Sequence, residues 1–127
     1  MAAFTRFEEI GAWRKARELT REIYRQSNSG AFSRDFAFRD QMRRAAVSIM
    51  SNIAEGFERG SDREFGRFVA IARGSSGEIR SQLYIARDLE YIDPPTFKIW
   101  LEQAEEIGRM LFSLRNYLRS SDGTEKG

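Results

Sequence analysis

The chain has 127 residues, enough for one domain with one hydrophobic core, and its 41% hydrophobic and 31% charged residues alternate on a short scale, as in a globular helix-former rather than a disordered chain. It contains no cysteine and no histidine, which removes disulfides, thiolate nucleophiles, imidazole bases and the usual zinc ligands together. The 21 basic and 19 acidic side chains leave a net charge of only +2, short of the excess that announces a nucleic-acid protein. The apolar runs are too short to span a bilayer and MAAFTRFEEIGAW lacks the pattern of a secretory signal, so a cytoplasmic protein is expected.

The spacing predicts a first helix that begins after Thr5, where Thr5 and Glu8 form a Ser/Thr-x-x-Glu box, and ends near Ser27 or Asn28. Trp13, Ala16, Thr20, Ile23 and Ser27 recur on its core side. Arg14, Arg17, Arg21 and Arg25 recur at steps of three, four and four on an outward ridge. Such a ridge grips phosphates, or it is a solvated charged face in which Glu18 and Glu22 offset the arginines. Residues 1–60 hold 11 basic and 8 acidic side chains, which places the positive excess in this half of the chain.

A second helix is predicted from Ser33 to Gly60, with Phe38, Met42, Ala45, Ile49, Ile53 and Gly56 on the buried face. Beside that stripe runs a polar line, Gln41, Arg44, Ser48, Asn52, Glu55 and Arg59, within an arc of about 80° at the helical rotation per residue. Ser61 and Glu64 then form a second capping box, so the turn into the third helix is very tight and the two helices pack antiparallel.

The third helix carries a near-heptad core seam from Phe65 through Phe68, Ala72, Ser76, Ile79, Leu83 and Ala86 to Glu90, continuing to Leu89 and Tyr91. To one side lie Ile71, Ile85 and Leu89, with Ser75, Glu78 and Gln82 among them. Gly74 and Gly77 cost helix stability and so imply either a close packing contact or a locally bent helix. Asp93 caps the fourth helix, Pro94 and Pro95 fit its first turn, and Phe97, Trp100, Ala104, Ile107, Leu111, Leu114 and Leu118 face the core. Ile99, Met110 and Tyr117 form an apolar side line there. Residues 1–119 make one all-α, up-down-up-down antiparallel four-helix bundle, and residues 120–127 a flexible tail.

The segments RRAAVSIMSNIAEG (43–56) and FGRFVAIARGSSGEIRSQLYIA (65–86) resemble the bacterial four-helix-bundle proteins encoded in intervening sequences of the 23S ribosomal RNA gene. The first helix adds Phe7, Ile10, Trp13, Ala16, Leu19 and Tyr24 in that family's FxxIxxWxxAxxLxxxxY spacing, so the resemblance spans roughly residues 4 to 118. It implies a ring-shaped homo-oligomer, with a pentamer favoured, and a kinship in fold with pentameric accessory proteins of diversity-generating retroelements, which work with a reverse transcriptase and nucleic acid.

The polar residues Arg44, Ser48, Asn52, Glu55, Ser75, Glu78 and Gln82 are expected to meet as a structural motif that fixes register or assembly. Without histidine, cysteine or a metal motif the catalytic constellation is incomplete, although a hydrolase built on Glu55 or Glu78 ranks as a last alternative. GSSGE at 74–78 sits inside a helix and lacks a lysine, so it is no phosphate loop. The reading is a non-enzymatic oligomeric scaffold with no cofactor, metal, membrane or small-molecule substrate. Its assembly face is Ile71, Gly74, Ile85, Leu89, Ile99, Met110 and Tyr117, and its arginine ridge contacts RNA or DNA weakly. The rival is a protein-interaction module whose oligomer recruits a helical partner without nucleic acid.

Overall fold

A computed structural model describes residues 4–121, and these contain helices and no strand. The helices are α1 (Gly11–Gln26), α2 (Gly30–Arg34), α3 (Phe36–Glu58), α4 (Asp62–Asp88) and α5 (Pro94–Ser121), preceded by a 3-10 turn at Phe7–Glu9. The four long helices close a cycle in which α1 packs on α3, α3 on α4, α4 on α5 and α5 on α1. Contacts between α4 and α5 run in opposite chain order: Asp62 meets Ser121, Arg73 meets Phe112, Arg80 meets Glu105 and Tyr84 meets Phe97. The bundle is therefore up-down-up-down, as the short connections require.

Local chemistry explains most of the helix ends. Gly60 adopts φ +90, a conformation that spares glycine the Cβ penalty, and the Ser61 hydroxyl accepts the Glu64 amide at 3.1 Å to start α4. The Asp93 carboxylate accepts the Thr96 amide at 2.8 Å to start α5, and the Thr96 contacts hold Asp93 below the usual carboxylate range. At the end of α4 the Tyr91 amide reaches the Ala86 carbonyl at 2.8 Å and the Glu90 amide reaches Arg87 at 3.0 Å, a Schellman closure with Glu90 at φ +60. Glu90 is thus an exposed stop residue and not part of the core seam.

Two helix starts differ from the sequence reading. The first α-helix starts at Gly11, not after Thr5, because Thr5 is engaged with Glu9, its amide and hydroxyl each donating to that carboxylate at 2.9 Å, while Glu8 pairs with Arg6. The second predicted helix is split: Phe32 is buried and pins α2 as a separate turn, and Asp35, not Ser33, caps α3 by accepting the Phe38 amide. The second Asp35 oxygen accepts the Tyr91 hydroxyl at 2.8 Å, and the Phe32, Phe38 and Tyr91 rings pack on one another, tying both connections at that end of the bundle.

The core contains Leu19, Ile23, Met42, Ile49, Ile53, Ile79, Leu83, Ile107, Leu111 and Leu118, all essentially inaccessible. In α1 the buried stripe is Ala12, Ala16, Leu19 and Ile23; Trp13 and Thr20 sit at its edge, half-buried, because the helix is rotated to point its small residues inward. Ser27, fully buried, accepts the Arg43 guanidinium at 2.8 Å and joins the end of α1 to α3. Helix α5 continues through Ser121, two residues into the predicted tail, and the remainder of that tail lies outside the described residues. No helix among the described residues is long and apolar enough to cross a membrane.

Candidate functional site

The predicted polar lines of α3 and α4 meet at one point. The Ser48 and Ser75 hydroxyls lie 2.9 Å apart across the two helices, and the Asn52 amide donates to the Ser48 carbonyl at 2.8 Å and hydroxyl at 3.0 Å. The rest of the motif disperses. Glu55 is exposed and pairs with Arg59 at 2.8 Å one turn on, which holds that guanidinium above its ordinary range, and Arg44 lies beside Asp40 and Gln41 at a shallow hollow. Glu78 accepts the Gln82 amide at 3.4 Å, a long bond within α4. The helices bring only short hydroxyl and amide side chains face to face, because longer charged ones at the outer angles of the stripe swing to water.

Buried Gln82 has a second property. Its Oε1 has no hydrogen-bond partner among the described residues, although a buried acceptor left unpaired costs about 1 to 3 kcal/mol. Around it Ile71, Ile85 and Leu89 remain 50%, 45% and 51% exposed. Together Ile71, Ser75, Glu78, Gln82, Ile85 and Leu89 recur at steps of four and three, the spacing of a seam that receives another helix.

On α5 the expected apolar line divides. Ile99 and Tyr117 are exposed, but Met110 turns inward, so that a methyl at Gly11 would lie 2.8 Å from its Cε. Met110, Leu114 and Tyr117 with Phe4 border an apolar hollow of about 510 Å3. Within the chain nothing lies within 4 Å of a Cβ placed on Gly74 or Gly77; the glycine that is tightly approached is Gly56, where a Cβ would meet the Phe68 Cβ at 2.6 Å.

The α1 arginines form the expected exposed ridge, and three of the four are engaged locally. Arg14 donates to the Glu8 carbonyl at 3.1 Å, Arg17 lies 5.8 Å above the Trp13 ring and Arg25 pairs with Glu22 at 3.2 Å. A second cationic surface was not singled out from the sequence. It is a groove of about 870 Å3 between α4 and α5, bordered by Arg73, Arg80, Arg109 and Arg115. Its arginines come from two helices, seven residues apart on α4 and six apart on α5, so only the packed pair assembles them. Among the described residues no group of three or more acidic, histidine or cysteine side chains is placed to hold a metal.

A single cyclic four-helix bundle whose distinguishing features are a polar contact between α3 and α4 and an apolar seam beside it defines a small helical-bundle protein. The chain belongs to the 23S rRNA-intervening sequence protein family, whose profile matches residues 8–113. A crystal structure of a protein of unknown function from Bacteroides thetaiotaomicron, described as a member of an S23 ribosomal protein family, is similar in fold. It is 23% identical, with a TM-score of 0.75 over 83% of this chain and 95% of that one. No curated protein matches this chain.

Proposed function

We propose that the protein is a non-enzymatic, oligomeric helical scaffold in which the Ile71 to Leu89 seam of α4 packs against another copy. The observation that carries this reading is the combination, on one line, of three half-exposed aliphatic side chains and a buried Gln82 acceptor without a donor. A helix laid along the seam removes the aliphatic groups from water, at about 25 cal/mol per Å2, and offers the missing donor. Polar residues inside a helical seam set register and copy number more than strength, which suits Ser75 and Gln82. Ile99 and Tyr117 on α5 supply a second apolar contact, and the family resemblance implies five copies. The exposed ridge Arg14, Arg17, Arg21 and Arg25 is the proposed weak contact to RNA or DNA, repeated by each copy and so strengthened by avidity.

Light scattering after gel filtration is the test. The parent is expected at the mass of five chains, and Ile85→Asp with Leu89→Asp is expected to shift it to the monomer with its helical circular dichroism retained. A monomeric parent at micromolar concentration refutes the scaffold, and a stable dimer refutes the pentamer alone. A stoichiometric second protein that copurifies, with no nuclease-sensitive absorbance, transfers the reading to a module that recruits a helical partner.

A further inference from the structure

The net charge of +2 conceals an unequal distribution that packing of α4 on α5 creates. Four arginines, Arg73, Arg80, Arg109 and Arg115, border their groove against one carboxylate, Glu105, so four positive charges less one negative leave +3 in a single concavity. Helical neighbours do little to cancel it. Arg80 stands 3.8 Å from Glu105 with both side chains well exposed, a pair that water and salt screen. Arg109 and Arg115 make no hydrogen bond or ion pair among the described residues.

The shape of the groove is as specific as its charge. Its lining includes Ala70, Gly74, Gly77, Ala104 and Gly108, none with a side chain longer than a methyl, over buried Val69, Ser76 and Leu111. Space above Gly74 and Gly77 is open to 4 Å, so a ligand backbone reaches the helices closely there. Along the α4 wall Arg73, Arg80 and Arg87 recur every seven residues, about 10.5 Å apart at the helical rise. The first and last sit over aromatic rings: the Arg73 guanidinium carbon lies 4.7 Å from the Phe112 centroid, and that of Arg87, which also pairs with Asp88 at 3.5 Å, lies 4.6 Å from Phe97 and 5.2 Å from Tyr84. A stacked guanidinium keeps its N–H edge available for a phosphate while its position is fixed.

We propose that the α4–α5 groove binds single-stranded nucleic acid, with the arginines on its two walls holding successive phosphates and the half-exposed Phe112 ring at its border offering a base the face that Arg73 does not cover. The axes of packed helices stand about 8 to 10 Å apart, so the surface furrow between them is narrow; a single strand follows it, whereas a duplex rides on the rim and reaches fewer arginines. A cationic groove edged by aromatic rings is the sequence-tolerant way of holding a single strand. The inference rests on the nucleic-acid half of the reading above and moves its centre from the α1 ridge, where Arg14 and Arg25 already have hydrogen-bond or ion-pair partners, to the groove.

Fluorescence anisotropy of the assembled protein with labelled oligothymidylate, and with a duplex of equal length, tests it. If four phosphates are neutralised, log K falls against log salt with a slope of about −2.8, so a fourfold rise in salt weakens binding about 50-fold. Arg73→Gln with Arg80→Gln is expected to bring the slope to about −1.4. Gly77→Leu, which adds bulk inside the groove without removing a charge, is expected to weaken the single strand at least tenfold with the mass and helical signal of the parent. Parent-like binding by either groove variant overturns the groove. If Arg17→Gln with Arg21→Gln alone abolishes that binding, the ridge stands without the groove. Absence of any binding by the parent at low salt overturns both nucleic-acid statements and leaves the oligomer to its own test, and tighter binding of the duplex than of the single strand overturns the strand assignment.

Discussion

Glycine replacement at three positions on two adjacent helices is expected to change stability in opposite directions. At Gly77, and at Gly74, a methyl meets nothing within 4 Å, so alanine gains the helix propensity that glycine forgoes, about 1 kcal/mol each. With an unfolding entropy of about 2.1 cal/mol/K per residue, the 127-residue chain shifts its melting temperature by about 4 °C for each kcal/mol. Gly74→Ala with Gly77→Ala should therefore raise it by about 7 °C. At Gly56 the added methyl falls 2.6 Å from the Phe68 Cβ and 3.3 Å from the Phe65 carbonyl oxygen, atoms carried by the backbone of α4 that no rotamer change can move away. Carbon contacts prefer about 3.5 to 4.0 Å, so the α3–α4 pair must spread. Overpacking of this kind costs up to about 3 kcal/mol. The same propensity gain of about 1 kcal/mol offsets part of it, leaving a net loss of about 2 kcal/mol. Gly56→Ala should therefore lower the melting temperature by about 7 °C. Thermal and urea unfolding followed by circular dichroism, at one protein concentration so that assembly is held constant, measures all three. A lower melting temperature for the Gly74/Gly77 pair, or a higher one for Gly56→Ala, refutes the packing argument; the former result places another chain against the α4 glycines.

Asn52→Ala should cost about 1 kcal/mol in urea unfolding, because it strips the Ser48 carbonyl and hydroxyl of a donor in a half-buried setting. Glu55→Ala, by contrast, removes an exposed partner of Arg59 and should leave the unfolding midpoint almost unchanged; equal losses at the two positions contradict their separation. Asp93 is depressed in the fold by its Thr96 contacts, so its stabilisation is complete above the ordinary carboxylate range and disappears as pH falls through the lower folded value. Asp93→Asn should flatten the acid limb of a stability-against-pH curve in that window, whereas an unaltered limb assigns it to other carboxylates.

Features that depend on residues three or four apart were readable from the chain. Ser61 with Glu64, and Asp93 with two prolines behind it, place the starts of α4 and α5 through contacts within one turn. The apolar stripes from Met42 to Gly56 and from Phe65 to Ala86 follow from helical period alone. The break between α2 and α3 was not readable, since Ser33 and Asp35 are comparable caps by type, and the choice is made by burial of Phe32 and by the distant Tyr91 hydroxyl. Of the polar motif, periodicity identified the correct faces of α3 and α4, but register decided that Ser48 meets Ser75 while Glu55 and Arg44 turn outward. The cationic groove was hidden for a similar reason. Residues 61–90 contain five basic and five acidic side chains, a balance that conceals how α4 places Arg73 and Arg80 in the groove with none of its own acids among the lining residues.

The even number of long helices has a mechanical consequence. Phe4 borders the same hollow as Tyr117, and Ser121 reaches Asp62 at the start of α4, so the two ends of the described chain emerge from one pole. Tension applied between them does not slide α1 along α5 and load their whole interface at once. It opens the pair like a zipper, first at Gly11 and Met110, then at the Lys15–Glu106 pair, which stands at 3.5 Å. The pole tied by Asp35, Tyr91 and the stacked Phe32 ring bears load last, so rupture is expected at low force and in steps that begin beside the termini.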